Sequence, residues 1–119
     1  MRPTKIRPSR RRGEWVARIG VYGVLPVVHN SQRNSSTQRH DAVFDEPAAR
    51  SKKMADFLAA FRREPAYVLV QRDKPPQDGA RTWAADGYVG VFAIADFEYD
   101  EGERRLTFAY VRREPVEVS

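Results

Sequence analysis

Two histidines, His29 and His40, bracket the most polar interior stretch of the chain, Asn30 to Asp41 (NSQRNSSTQRHD). Imidazole titrates near neutrality, so a histidine pair beside the carboxylate of Asp41 has the groups to act as acid and base on a phosphodiester or to ligate a metal. Their separation of eleven residues matches no standard zinc or metallonuclease signature, and they are the chain's full complement of 2 histidines. A small His-dependent nuclease therefore ranks behind the binding readings below. Ser35 and Ser36 have no nucleophile elbow around them. Cysteine is absent, which removes thiol catalysis, disulfides and Cys-based zinc sites together. No glycine run has the form of a phosphate-cradling loop, so the residues call for no cofactor and no metal.

Binding is the better use of the same stretch. Asn30 and Asn34, with the neighbouring Ser, Thr and Gln, are residue types that hydrogen-bond base edges and phosphates. Arg33 and Arg39 add charge, and His29 and His40 close the ends. A second source of charge lies upstream. Of the net charge of +5, residues 1–12 (MRPTKIRPSRRR) carry +6 through Arg2, Lys5, Arg7, Arg10, Arg11 and Arg12. Residues 13–95 carry +2 and residues 96–119 carry −3. Two prolines and six cations with little apolar surface predict a flexible arm. Each Lys or Arg set against a phosphate releases a condensed counterion, which makes such an arm a nucleic-acid contact; its plainer reading is a solubilising tail. Trp83 stands in the polar stretch 72–86, where burial is not forced, and an exposed indole stacks on an unpaired or flipped base. The alternative is that it folds back as a lid on the core. The leading expectation is thus a nucleic-acid-binding module, for DNA or RNA. Its contact residues would be Arg7, Arg10, Arg11, Arg12, His29, Asn30, Arg33, Asn34, Arg39, His40 and Trp83. The alternative is an accessory or inhibitor-type protein, docking a protein partner on the acidic residues Asp96, Glu98, Asp100, Glu101 and Glu103.

These residues need a scaffold, and composition bounds it. At 119 residues and 41% hydrophobic content the chain supports one domain, expected over residues 13–119 behind the arm. No run approaches the roughly 20 apolar residues of a membrane span, and no apolar run follows the basic N-terminus as a secretory signal requires. With no cysteine, a cytoplasmic setting is expected.

Along the chain, Glu14–Asn30 alternates through Trp15, Ala17, Ile19 and Val21, breaks at Gly20 and Gly23, and resumes with Val24–Val28; two strands joined by a bend are predicted. Pro26 lacks an N–H, which predicts an edge or bulged second strand. Residues 30–41 hold nothing that anchors a core and read as a long loop. Over Asp45–Arg63, Met54, Phe57, Leu58 and Phe61 recur at i, i+3, i+4, i+7 behind an Asp45 cap, which predicts a helix ended by Pro65. Ala66–Gln71 is a short apolar strand. Gly87–Tyr99 is apolar on both faces through Ala95 and so central, then alternates with Phe97 and Tyr99 in and Asp96 and Glu98 out; it returns through Asp100-Glu101-Gly102 into Arg104–Arg112, with Gly102 at the left-handed position. Val116–Val118 is short and apolar enough for a last strand. The predicted class is α+β: one main helix on a curled, mostly antiparallel, five- or six-stranded sheet or small barrel.

The runs "YVLVQ" (67–71) and "GYVGVFAIADFEYDEGERRLTFAYV" (87–111) resemble the middle and end of small PUA-like barrels of the EVE or ASCH type. There, a strand after the helix leads through a variable loop to a "vGvaeV" strand and a further wall strand. The likeness covers residues 66–112. It implies a nucleic-acid reader with an aromatic-lined cleft between helix and barrel, and it carries over no individual pocket residue.

Overall fold

The computed structural model describes residues 4–10, 14–74 and 84–118. Among them lie strands β1 (Thr4–Ile6), β2 (Val16–Ile19), β3 (Gly23–His29), β4 (Arg33–Asn34), β5 (Arg39–Val43), β6 (Tyr67–Lys74), β7 (Ala84–Asp100), β8 (Arg105–Arg113) and β9 (Val116–Val118). Helices α1 (Glu46–Ala49) and α2 (Lys52–Phe61) stand between β5 and β6. Seven strands form one sheet in the order β2-β3-β6-β7-β8-β5-β4, and β1 pairs with β9 in a separate two-stranded ribbon. All neighbours in the large sheet are antiparallel except β3 and β6. A parallel pair needs a crossover, and here it travels out to the far edge through β4 and β5 and back through α2. The class is the expected α+β with one main helix and a mostly antiparallel sheet.

The sheet is open, not a closed barrel, and it holds seven strands where five or six were expected. The extra strands come from the polar segment. Residues 30–41, predicted as a loop, form a 3₁₀ turn at Asn30–Gln32, then β4, a tight turn, and β5. Hydropathy missed this because β5 lies near an edge and buries only alternate side chains. His40 and Ala42 point in while Arg39, Asp41 and Val43 point out, and only Ala42 of the inward pair reads as apolar.

Two cores flank the sheet, because β6 and β7 alternate apolar side chains to both faces. Val68, Val70 and Phe92 join Val28, Phe57, Phe61, Phe108 and Tyr110 beneath α2. Leu69 and Val91 join Ala17, Ile19, Leu25, Val27 and Val116 on the opposite side, with Ile6 and Val118 packed against them. The β1–β9 ribbon therefore serves as the second lid. Segment 1–12, expected as a flexible arm, supplies β1, and Ser9 exchanges two 2.9 Å backbone hydrogen bonds with Arg18.

Three local expectations change in detail. The helix predicted over 45–63 divides in two. Asp45 caps α1 by accepting from Ala48 N at 2.8 Å, and Ser51 then opens α2 by accepting from Lys53 N at 3.1 Å. Pro26 sits in an interior strand, one residue before the β3–β6 ladder starts at Val27, so its missing N–H falls where no bond is due. In the β7–β8 turn the left-handed residue is Arg104 (φ 55°), not Gly102, with Asp100 Oδ1 accepting from Glu103 N at 3.1 Å. Strand β7 carries an irregularity between Ala95 and Glu98, with Asp96 at φ 57°, which lets Phe97 turn in and stack on Phe61 at 4.6 Å. No helix among the described residues is long and apolar enough to cross a membrane.

Phe108 is fully buried and packs against His40, Phe61 and Tyr110. Phe108→Ala is expected to cost about 3–5 kcal/mol in urea unfolding. Glu98→Ala, on the exposed face of β7, should stay within about 0.5 kcal/mol of the parent.

Candidate nucleic-acid interface

One end of the sheet opens into a cleft of about 290 Å³ between β3, β5 and the start of α1. Its walls include Val27 from one core and Val28 from the other, which places it at the seam where the two layers part. Trp15 and Phe44 form an aromatic wall, stacked at 6.1 Å and 24°, with Phe57 edge-on to both. Polar groups come from Arg10, His29, Gln32, His40 and Asp45.

Each is held by a backbone feature. The β3–β6 register sets His29 opposite Gln71. Gln71 is buried, and its Oε1 accepts a hydrogen bond from Arg10 Nη1, while Arg10 Nε donates to the Glu14 carbonyl at 2.8 Å. Two donors thus fix the Arg10 guanidinium at the cleft. Gln32 ends the 3₁₀ turn that follows His29. Asp45 stands at the α1 N-cap.

His40 is the most constrained of the group. It is 1% exposed, lies parallel to the Phe108 ring at 4.6 Å, and shares a 2.8 Å hydrogen bond between Nδ1 and the Tyr110 hydroxyl. Burial, with a smaller contribution from the nearby His29, lowers its pKa from 6.5 to about 4; Asp41 opposes the shift weakly. The ring is therefore neutral at pH 7 and serves as a polar wall. Burial likewise raises the pKa of Tyr110.

The histidine–carboxylate triad weighed from sequence does not form. Strand alternation sends Asp41 to the outer face, where both its oxygens accept from Arg105. The Arg105 hydrogen bonds hold the Asp41 carboxyl below its usual pKa, although the pair is half-exposed and worth little stability. Among the described residues no group of three or more His, Cys, Asp or Glu is placed to hold a metal.

Of the residues singled out from sequence, the fold brings Arg10, His29 and His40 to one cleft. Arg33 faces a different cavity beyond Tyr110. Asn30 is half-buried in the 3₁₀ turn, and Asn34 turns its side-chain oxygen back to accept from Ser36 N at 2.9 Å and Thr37 N at 3.2 Å. Arg7 and Arg39 are exposed and line neither cavity. Arg11, Arg12 and Trp83 lie outside the described residues. Trp15, Gln32, Phe44 and Asp45 were not expected at the site. Trp15 was read as one residue of a strand face and Asp45 as a helix cap; neither signal says that the two positions meet.

No family model, curated protein or solved structure matches this chain.

The His40 shift sets a pH dependence. The unfolded chain takes up the proton near pH 6.5 and the folded chain only near pH 4. Stability from this group is complete above pH 6.5 and drains away as the pH falls toward 4. Urea unfolding should give about 2–3 kcal/mol less at pH 4.5 than at pH 7.5, and His40→Gln should flatten most of that difference.

Proposed function

We propose that this protein is a small nucleic-acid-binding module that holds a single base in the cleft lined by Trp15, Phe44, His29 and His40. The observation that carries the reading is the convergence of Arg10 with both histidines on an aromatic-walled cleft. Three residues chosen from sequence for nucleic-acid chemistry, separated by 19 and then 11 positions along the chain, share one opening of about 290 Å³. Small-molecule sites start at about 300 Å³, so the space suits one planar heterocycle rather than a longer ligand. The indole of Trp15 offers a stacking face. Gln32, the histidine nitrogens and Asp45 offer donors and acceptors to a base edge, and Arg10 supplies charge for the flanking phosphate.

A cleft of this kind takes a base already out of the stack, so single strands and flipped bases are the substrates. An aromatic-lined cleft beside the helix is also what the PUA-like resemblance of residues 66–112 implies, and we extend the proposal to a PUA-like reader. Exposed Lys5 and Arg7 on the segment leading to the cleft give the strand a cationic approach.

Fluorescence anisotropy with labelled single- and double-stranded DNA and RNA tests this at about 50 and 200 mM salt, a span over which phosphate contacts lose much of their affinity. Single strands should bind more tightly than duplexes. In a Trp83→Phe background, where Trp15 is the remaining tryptophan, they should quench its emission. Arg10→Ala should weaken binding by about tenfold and lower the salt slope by about 1. Absence of binding at the lower salt, or unchanged affinity in both Arg10→Ala and His29→Ala, would defeat the proposal. Point variants are preferred to deleting residues 1–12, since deletion also removes β1 from the second core.

A further inference from the structure

A second cavity, of about 310 Å³, lies beyond Tyr110 from the cleft, against β4 and the end of β8. Its side walls carry three guanidinium groups, Arg33, Arg112 and Arg113, and no carboxylate lines it. Arg112 and Arg113 are exposed and Arg33 is half-buried, so a cationic field with no facing anion meets whatever enters the opening.

The three cations are not equivalent. Arg112 is neutralised by Glu114 at 3.0 Å. Arg113 donates from Nη2 to the Val89 carbonyl at 2.7 Å, which fixes its head without cancelling its charge. Gly90 makes room for it: a Cβ there would stand 3.1 Å from Arg113 Nε. Arg33 has no carboxylate partner among the described residues. Its guanidinium rests on the faces of Phe92 and Tyr110, 4.7 and 5.1 Å from the ring centroids, and Nη2 donates to Gln38 Oε1 at 3.1 Å. Its Nε is the one buried side-chain N or O atom among the described residues with no hydrogen-bond partner. A guanidinium stacked on two rings is held by its faces, and with Nε walled off from solvent it is the Nη groups that Arg33 presents in a fixed plane, the arrangement that recognises an oxyanion.

We infer that this cavity is a phosphate-binding site, taking a phosphate mono- or diester between Arg33 and Arg113. The oxyanion supplies the negative charge that the lining lacks and acceptors for donors that the fold leaves unused. Arg112, already paired, stands at the rim and adds less. The site is separate from the cleft at Trp15 and does not depend on what that cleft binds. A free phosphate ligand and the backbone phosphate of a strand present the same chemistry here.

The test follows the arginine Nε–H resonances of the full chain by NMR while inorganic phosphate is titrated against chloride at matched ionic strength. Phosphate should shift Arg33 and Arg113 in a saturable manner, with chloride far weaker. Arg33→Lys, which keeps the charge but loses the fork, and Arg113→Gln should each weaken the apparent affinity by about tenfold. Lys52→Gln on α2 should leave it unchanged, and melting curves confirm that the variants fold. Equal responses to chloride and phosphate, or phosphate shifts at Arg33 that survive Arg113→Gln at full affinity, would overturn the assignment. A parallel titration with a short oligothymidylate separates the sources. Saturation of the same two resonances at lower concentration marks backbone phosphate, and response to inorganic phosphate alone marks a small phosphate ligand.

Discussion

A sheet whose central strands are apolar on both faces has to be covered twice, and the rest of this structure follows from meeting that demand with one helix. Strand β6 alternates Val68 and Val70 with Leu69, and all three are fully buried; Val91 and Phe92 repeat the pattern on β7. An uncovered apolar face of that size would expose several large side chains, each worth about 1.5–3 kcal/mol of burial. Helix α2 closes one face with Met54, Phe57 and Phe61. The chain has no second long helix among its described residues, so the other face is closed by β2 and by a ribbon made from residues far apart in sequence, Thr4–Ile6 and Val116–Val118.

That solution decides where the basic segment goes. With Ile6 drawn over the second core and Ser9 bonded to Arg18, Arg10 comes to the open end of the sheet, and the carbonyl of Glu14 and the side-chain amide of Gln71 hold it there. A residue that would be one of six equivalent cations on a free tail becomes a fixed member of a cleft. The same seam between layers leaves the space that Trp15 and Phe44 line. Site and scaffold therefore have one cause: where two cores separate, neither fills the gap.

His40 shows how little side-chain chemistry says by itself. Beside Asp41 it has the composition of a catalytic pair. In a strand, adjacent residues face opposite ways, so His40 enters the core on Phe108 while Asp41 meets Arg105 outside. Burial without a carboxylate makes the imidazole a neutral wall, tied through Tyr110 to the floor beneath Arg33. The two cavities thus share one buried polar link, although they face different parts of the surface.

The sequence alone determined the helix around Met54, Phe57 and Phe61, the central position of 87–99, the hairpin after it and the α+β class. Each rests on a local period of apolar residues that survives whatever packs against it. It also singled out Arg10, His29 and His40 by chemical type. Tertiary structure alone decided which of these meet, because cleft membership depends on a parallel register between β3 and β6 across some forty residues of crossover. It decided that 30–41 is a strand pair, since a strand next to the sheet edge that buries one histidine and one alanine has almost no hydropathic signal. It decided that the basic segment is partly built in, because the need to cover a second face is a property of the whole sheet and is written in no single stretch of residues.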